Sequence, residues 1–421
     1  MGLFDPRFIA LGVFIGVLLV IALEKMDRAV ATMLGAAVLW GVGILDAEDV
    51  FHFIDLNVLA LLFGMMVILA CLREAGFFRW LGIKLANMCG CDPAKLFIML
   101  SLTSALLSAF LTNVIAILFL VHITVELADV LEVSPVPFVM GEIFASNLGG
   151  AATMVGDPMN MMIASAFGLK FIDFIVNLAP IVAVCVLLVV LIWYEVVKPT
   201  RKREFLVMPV KAREVVKDRY LFMVSTGMFI TTIVLFALQD VLNLTPSTIA
   251  LISSVILMGA VGRKMPNVFR NVDWETLIFL AAIFVVVGGL EKTGLIEEIA
   301  KTITYYGRND LLVSFMILWI SALGSTVVDN IPLTATFIPM IKDVSMMTGM
   351  DISGMIWALA LGTGFGGNGT PIASSVNIVA LGAMREYGHP ITFKEFTKKG
   401  MAILALTTAI ANLFILLAIA F

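Results

Sequence analysis

Gly149-Gly150-Ala151-Ala152-Thr153-Met154-Val155-Gly156-Asp157-Pro158-Met159-Asn160 and Gly366-Gly367-Asn368-Gly369-Thr370-Pro371, the latter running on through Ser374 and Ser375 to Asn377, decide how this chain folds. Each interrupts a run of apolar residues otherwise long enough to cross a bilayer as a helix. Glycine removes side-chain bulk and proline removes a backbone donor, so a helix stops at such a stretch. Irregular backbone at membrane depth survives only where it is buried in protein or lines a polar cavity. A broken helix also exposes amides at one end and carbonyls at the other, which attract anions and cations respectively.

The rest of the chain places these interruptions in a membrane. It is 61% hydrophobic and only 14% charged, against about 25% charged in a soluble domain. The deficit is spread evenly, so no soluble domain stands apart. Apolar runs at 8–23, 58–72, 181–197, 220–238 and 401–421 have the length of membrane helices, whereas a barrel would show short alternating segments. The first run is expected to stay as a helix and not to leave as a signal peptide. Four cysteines are too few and too scattered for a disulfide framework, and Cys89 and Cys91 frame a turn. His52, His122 and His389 lie outside the repeated motifs, so no metal triad is expected, and the many methionines are taken as packing.

The two glycine stretches belong to an internal repeat. At an offset of 217 residues Ser104-Ala105-Leu106 falls on Ser321-Ala322-Leu323, Ser108 on Ser325, Asn113 on Asn330, Thr153 on Thr370 and Asn160 on Asn377. Upstream, at 218, Asp55 meets Asp273, Leu72 meets Leu290 and Gly76 meets Gly294. Charge indicates that the halves are inverted. The linker 198–219 and the loop 263–274 are basic and are placed on the cytoplasmic side. The counterpart of that loop in the first half, 46–55, carries Asp46, Glu48, Asp49 and Asp55 with no base. Segment 73–95 is net basic and its counterpart 291–310 net acidic; the acidic loop 126–134, placed inside, is the one exception.

Inversion requires an odd number of crossings per half. The expected division is a first repeat at 1–197, a linker at 198–219 and a second repeat at 220–421. Each repeat has about five transmembrane helices and one re-entrant hairpin. The first has helices near 8–23, 29–45, 56–72, 136–165 (broken) and 172–196, with a hairpin at 96–125. The second has them near 220–238, 247–262, 275–290, 352–384 (broken) and 400–421, with a hairpin at 311–341. Both termini then lie outside.

Two hairpin tips, Leu111-Thr112-Asn113-Val114 and Val328-Asp329-Asn330-Ile331-Pro332, and two breaks are thus expected to meet in one central site. Asp157 and Asp329 are intramembrane carboxylates, costly unless paired, protonated or holding a cation, and are the candidates for proton or cation coupling. Asp157 also has a plainer reading as a helix cap. Asn113 and Asn330 are candidates for ligand contact or for stabilising tight turns. Thr112, Thr153, Asn160, Asn368, Thr370, Ser374 and Asn377 complete the substrate or ion set. Glu142 and Ser146-Asn147 lie one turn apart, either on the path or near the interface. No lysine or arginine falls inside the four broken segments, which favours a neutral or weakly charged solute exchanging with protons.

At these motifs the chain resembles the ion transporter superfamily, and within it the arsenite permease and melanosomal P-protein branch, related to the divalent anion:sodium symporters. The resemblance runs from about Phe8 to the last helix. Its most specific pieces are Gly156-Asp157-Pro158-Met159-Asn160, Gly366-Gly367-Asn368-Gly369-Thr370, Ala373-Ser374-Ser375-Val376-Asn377 and the Asp329-Asn330 tip. It implies secondary active transport, a scaffold and a moving transport region working as an elevator, and a homodimer. It also implies binding roles for Thr112, Asn113, Asp157, Asn160, Asp329, Asn330, Thr370 and Asn377. The second break departs from the arsenite pumps, and the tips lack the Ser-Asn-Thr of the sodium-dicarboxylate branch.

The expected function is therefore a carrier for a small anion or oxyanion driven by a proton or sodium gradient, with arsenite or antimonite efflux first. Sodium/proton exchange and dicarboxylate or citrate transport are the alternatives. An intramembrane aspartyl protease is a remote one, because Met154-Val155-Gly156 precedes Asp157 where that chemistry calls for Gly-x-Gly. No Walker motif occurs, so any ATP drive would need a soluble ATPase partner. The partners expected are the lipid bilayer, the solute and a second copy; no nucleic acid and no cofactor are expected beyond H+ or Na+, the latter at the hairpin tips. The location expected is the cell membrane.

Overall fold

A computed structural model describes residues 5–23, 25–89, 92–111, 113–197, 216, 218–262, 265–307 and 309–420. The basic linker expected at 198–219 therefore lies almost wholly outside the described residues, as do Cys91, Thr112, Arg263, Lys264 and Arg308. All the regular structure described is helical. The first repeat contains α1 (Pro6–Ala22), α2 (Arg28–Gly41), α3 (Ala47–Phe53), α4 (Leu56–Glu74), α5 (Phe77–Cys89) and α6 (Pro93–Phe110). It continues with α7 (Asn113–Val130), α8 (Val136–Gly150), α9 (Pro158–Phe167), α10 (Phe171–Asn177) and α11 (Ala179–Val197). The second contains α12 (Arg219–Ala237), α13 (Gln239–Leu242), α14 (Pro246–Val261), α15 (Met265–Arg270), α16 (Trp274–Lys292) and α17 (Leu295–Tyr306). It ends with α18 (Asp310–Gly324), α19 (Asn330–Thr348), α20 (Ser353–Gly366), α21 (Ser375–Glu386) and α22 (Phe393–Ala420).

Five of these helices, α4, α6, α12, α16 and α22, are long and apolar enough by themselves to cross a membrane, and α1, α2, α11, α14 and α18 are shorter apolar helices. The fold is an all-α polytopic membrane protein of two inverted repeats. Matching helices begin with matching caps: Asp55 accepts from the amides of Asn57 and Val58 at the start of α4, and Asp273 from that of Thr276 at the start of α16. The repeats exchange partners as a pseudo-twofold axis requires, α4 packing on α14 and α16 on α2. A second set of matching pairs, α6 with α8 and α18 with α20, packs separately, and α11 and α22 cover it. Contact between the two sets runs through α9 on α4 and α19 on α16.

Three elements differ from the expectation. Segments 73–95 and 291–310 are not simple loops: each contains an amphipathic helix, α5 and α17. The apolar stretch 172–196 is not one helix. α9 and α10 meet at 112° across Gly168-Leu169-Lys170, with Gly168 at φ +64, and α11 starts afresh at Ala179 with Pro180 in its first turn. The hairpin helices are also longer than 96–125 and 311–341, because Asp92 and Asn309 cap α6 and α18 ahead of the apolar run.

Candidate functional site

The breaks expected at 136–165 and 352–384 fall at Ala151–Asp157 and Gly367–Ser374, between α8 and α9 and between α20 and α21. Glycine makes them possible by close packing. A Cβ on Gly149 would lie 2.2 Å from the Ala105 carbonyl oxygen, and one on Gly366 would lie 2.4 Å from the Ser325 Cβ and 2.7 Å from the Ala322 carbonyl oxygen. The hairpins are thus pressed against the breaks. Hydroxyls then tie them together in register. Ser108 Oγ donates to the Ser146 carbonyl at 2.5 Å, and Ser325 Oγ to that of Thr363 at 3.0 Å. Thr153 donates to the Ala109 carbonyl, and Thr370 to that of Thr326 at 2.6 Å.

The two asparagines close each break from within. Asn160 Nδ2 donates to the Thr153 carbonyl at 2.8 Å and is within 3.3 Å of that of Gly150. Asn377 Nδ2 donates to the Thr370 carbonyl at 2.8 Å and to that of Gly367 at 2.7 Å. The repeats touch at Asn147, whose Nδ2 reaches Asn377 Oδ1 at 2.9 Å, Asn368 Oδ1 at 3.0 Å and the Gly367 carbonyl at 3.2 Å. Thr153 and Thr370 therefore spend their hydroxyls on the hairpins, and Asn377 is bonded to its own break and to Asn147. Asn160 bonds its break through Nδ2, while its buried Oδ1 has no partner among the described residues.

The remaining residues converge on a cavity of about 80 Å³ lined by Asp157, Pro158, Asn330, Ile331, Ser374, Ser375, Val114, Met66, Asp273, Thr276 and Arg28. Asp157 caps α9 by accepting from the Met159 amide, and Asn330 Nδ2 from the opposite hairpin donates to Asp157 Oδ2 at 3.2 Å. Ser374 caps α21 in the same way through the Val376 amide. Asp329 caps α19, accepting from the Ile331 amide at 3.0 Å. It lines a larger cavity, about 590 Å³, which shares Arg28, Val114, Asp273 and Ser375 with the small one. The N-termini of α9, α19 and α21, which favour anions, thus lie at adjoining cavities that are also lined by the carboxylates of Asp27, Asp157, Asp273, Glu275 and Asp329. Thr112 lies outside the described residues, and of Asn113 only its place at the start of α7 is described.

Arg28 changes the charge expected of the site. It lies outside all four broken segments, at the first position of α2, yet its guanidinium reaches the cavity. Nε donates to Glu275 Oε1 at 2.8 Å, Nη2 to Thr276 Oγ1 at 2.8 Å and Nη1 to Ser375 Oγ at 2.9 Å, with Asp329 Oδ2 3.8 Å from Nη1. The absence of basic residues from the motifs does not make the site free of fixed positive charge. A signal was available: an arginine in the first turn opposes the helix dipole, so something other than the helix holds it there. Glu142, by contrast, is fully buried in α8 away from both cavities, accepting from Thr124 Oγ1 at 2.5 Å. Among the described residues no cluster of metal-ligating side chains occurs.

Two repeats of broken helices around a shared polar cavity define a membrane transporter. The folds of two such proteins match over nearly the whole chain. MtrF of Neisseria gonorrhoeae, described among antimetabolite efflux pumps, superposes with a TM-score of 0.63 over 98% of this chain and 95% of its own, at 13% identity. The YdaH transporter of Alcanivorax borkumensis gives 0.57 over 98% and 96%, also at 13% identity. The chain belongs to the CitMHS family, described as citrate transporters, whose model matches residues 18–362. An uncharacterised transporter of Mycobacterium tuberculosis is 37% identical over 419 residues, covering 97% of each chain. The human P protein is 29% identical, covering 97% of this chain and 60% of the P protein.

Proposed function

We propose that this protein is a secondary active carrier for a small anion, an organic carboxylate or an inorganic oxyanion, driven by a proton or sodium gradient. The observation that carries the reading is the meeting of Asp157 with Asn330, Ser374 and Arg28 around one buried cavity. A carboxylate held at the N-terminus of a half-helix gives a coupling cation a place to bind. Neighbouring amide ends, serine hydroxyls and a guanidinium give an anion one. The family's description as citrate transporters favours a carboxylate, and arsenite or antimonite is the inorganic solute to test against it. Sodium/proton exchange is the second reading, favoured by the carboxylates of Asp157 and Asp329 on adjoining cavities.

In this proposal α6–α9, α11 and α18–α22 move as a transport region against a scaffold of α1, α2, α4, α12, α14 and α16, in a homodimer in the cell membrane. The larger cavity opens beside Lys25, Arg28 and Asp273, next to the α15 turn that carries Arg270, so the positive-inside rule puts its mouth in the cytoplasm. A soluble ATPase partner is not needed for this scheme. The test is uptake into sealed proteoliposomes of citrate, arsenite and sodium under imposed pH or sodium gradients. Accumulation of one of them against its own gradient supports the carrier; leak that ignores both gradients points to a channel and overturns it.

A further inference from the structure

The contacts of Arg28 are divided between two parts of the molecule. On one side, Glu275 and Thr276 in the first turn of α16 hold Nε and Nη2, and the guanidinium carbon lies 5.3 Å from the centre of the Phe279 ring. These residues and α2 belong to the set formed by α2, α4, α14 and α16. On the other side, Nη1 reaches Ser375 in the first turn of α21 and lies near the cap of α19, Asp329. Both of those are tips of the opposite set. One planar side chain, only 19% exposed, therefore clamps two broken-helix tips to the start of α16.

The repeat supplies an internal control. Asp27 and Arg28 correspond to Thr245 and Pro246, and Glu275 corresponds to Asn57. At that second place Thr245 caps α14, and Asn57 accepts from Ser247 Oγ at 3.1 Å, a neutral contact made wholly among α4 and α14. Among the described residues no arginine or lysine bonds the start of α4 or α14 there; the tie to the transport side is a hydroxyl, Ser165 Oγ of α9 donating to Asp55 Oδ2, the cap of α4, at 2.5 Å. Lys170 and Asp240 line a cavity of about 340 Å³ together with Asn57 and Pro246, and pair with each other at 3.0 Å, half exposed at the surface. Surface pairs of that kind contribute little.

We propose that Arg28 is a one-sided latch, a positioning residue that holds the tips of α19 and α21 on the α2–α16 face and so favours the state with the larger cavity open. The inference rests on the reading of the molecule as a carrier whose two sets of helices move against each other. Because the counterpart position holds proline, the opposite state has no equivalent guanidinium clamp, and the Ser165 hydroxyl on Asp55 is a single bond against four partners, so the two states differ in energy before any solute binds. Release of Ser375 and Asp329 from the guanidinium is then a required step of every crossing. Arg28→Lys keeps a charge near Asp329 but cannot hold four partners from one plane.

The test is the distance distribution, by pulsed electron spin resonance in nanodiscs without added solute, between labels on cysteines introduced at Trp40 in α2 and Met346 in α19, with Cys89 and Cys91 replaced by serine. A second pair, at Trp40 and Ile256 in α14, reports on the scaffold alone. Arg28→Gln is expected to raise a second population in the first pair to about one tenth, the upper end of the minor-state range of a two-state protein, while the second pair is unchanged. Arg28→Lys is expected to fall between the two, and Glu275→Gln to shift the first pair in the same direction. An unchanged first distribution in Arg28→Gln overturns the latch, and so does a change in the scaffold pair, which would make Arg28 a packing residue. None of these readings requires flux, so failure to transport any probe would remove the carrier assignment without deciding this one.

Discussion

The two breaks share a frame and differ in charge. In both, a threonine hydroxyl ties the break to the hairpin, an asparagine amide closes it from within, and a serine hydroxyl locks the two packed helices. The caps of the second half-helices then diverge: Asp157 stands where the other repeat has Ser374. At the hairpin tips the order is reversed, with Asp329 opposite Thr112. Each repeat thus brings one carboxylate, but in a different motif. Duplication built the frame, and the differences placed the charges on one side of the pseudo-twofold axis. A shared frame predicts equal effects on stability from matched substitutions; the unshared charges predict unequal effects on transport.

The largest expected contrast is between Asp157→Asn and Ser374→Ala. Asparagine caps a helix about as well as aspartate, so Asp157→Asn should insert and fold while gradient-driven flux in proteoliposomes falls to background. Ser374→Ala should keep measurable flux and lose about 1 kcal/mol of stability from the missing cap. Background flux in both would make the two positions equivalent and break the comparison. Next in size is Asn377→Ala against Asn160→Ala. Each leaves buried carbonyls without a donor, at about 1–3 kcal/mol, and both should lower the thermal midpoint in detergent. The Asn377 variant should fall further, because Asn147 Nδ2 loses an acceptor with it, whereas the counterpart of Asn147 is Gly364. Equal shifts would show that the contact between the repeats at Asn147 adds nothing.

The smallest expected contrast, and the most symmetric effect, concerns the glycines. Gly149→Ala and Gly366→Ala each force a methyl group against the facing hairpin, and overpacking of this kind costs about 1–3 kcal/mol. Similar drops in thermal midpoint sharpen the claim of a common frame. A drop in one variant alone would mean that the hairpins are not held alike.

Much of this frame was legible before any coordinates. The constant offset from Ser104 to Asn160 reports matching helices because equal spacing along a helix is equal position in space. Asp157 and Asp329 stood out because carboxylates in apolar runs are costly. What the chain did not disclose is the direction in which polar atoms point. Asn160, Asn377, Thr153 and Thr370 read as ligand contacts, yet in the described structure they bond the backbone of their own breaks or of the neighbouring hairpin, which depends on how a break coils. Arg28 was missed for a different reason. It lies more than 200 residues from Glu275, Thr276, Asp329 and Ser375, and only the exchange of α2 and α16 between repeats brings it to the cavity. The break at Leu178 between α10 and α11 was hidden because an apolar run looks the same whether continuous or interrupted.

The central claim is that Asp157 and Asp329 serve one site across the two repeats. It is tested most directly by gradient-driven proteoliposome flux of whichever probe the protein accumulates, measured for Asp157→Asn, Asp329→Asn and the double variant. Groups acting as a unit lose about as much singly as together. The double variant is therefore expected to be no slower than the slower single one. Near-normal flux in either single variant, or losses that multiply in the double, would contradict a shared site.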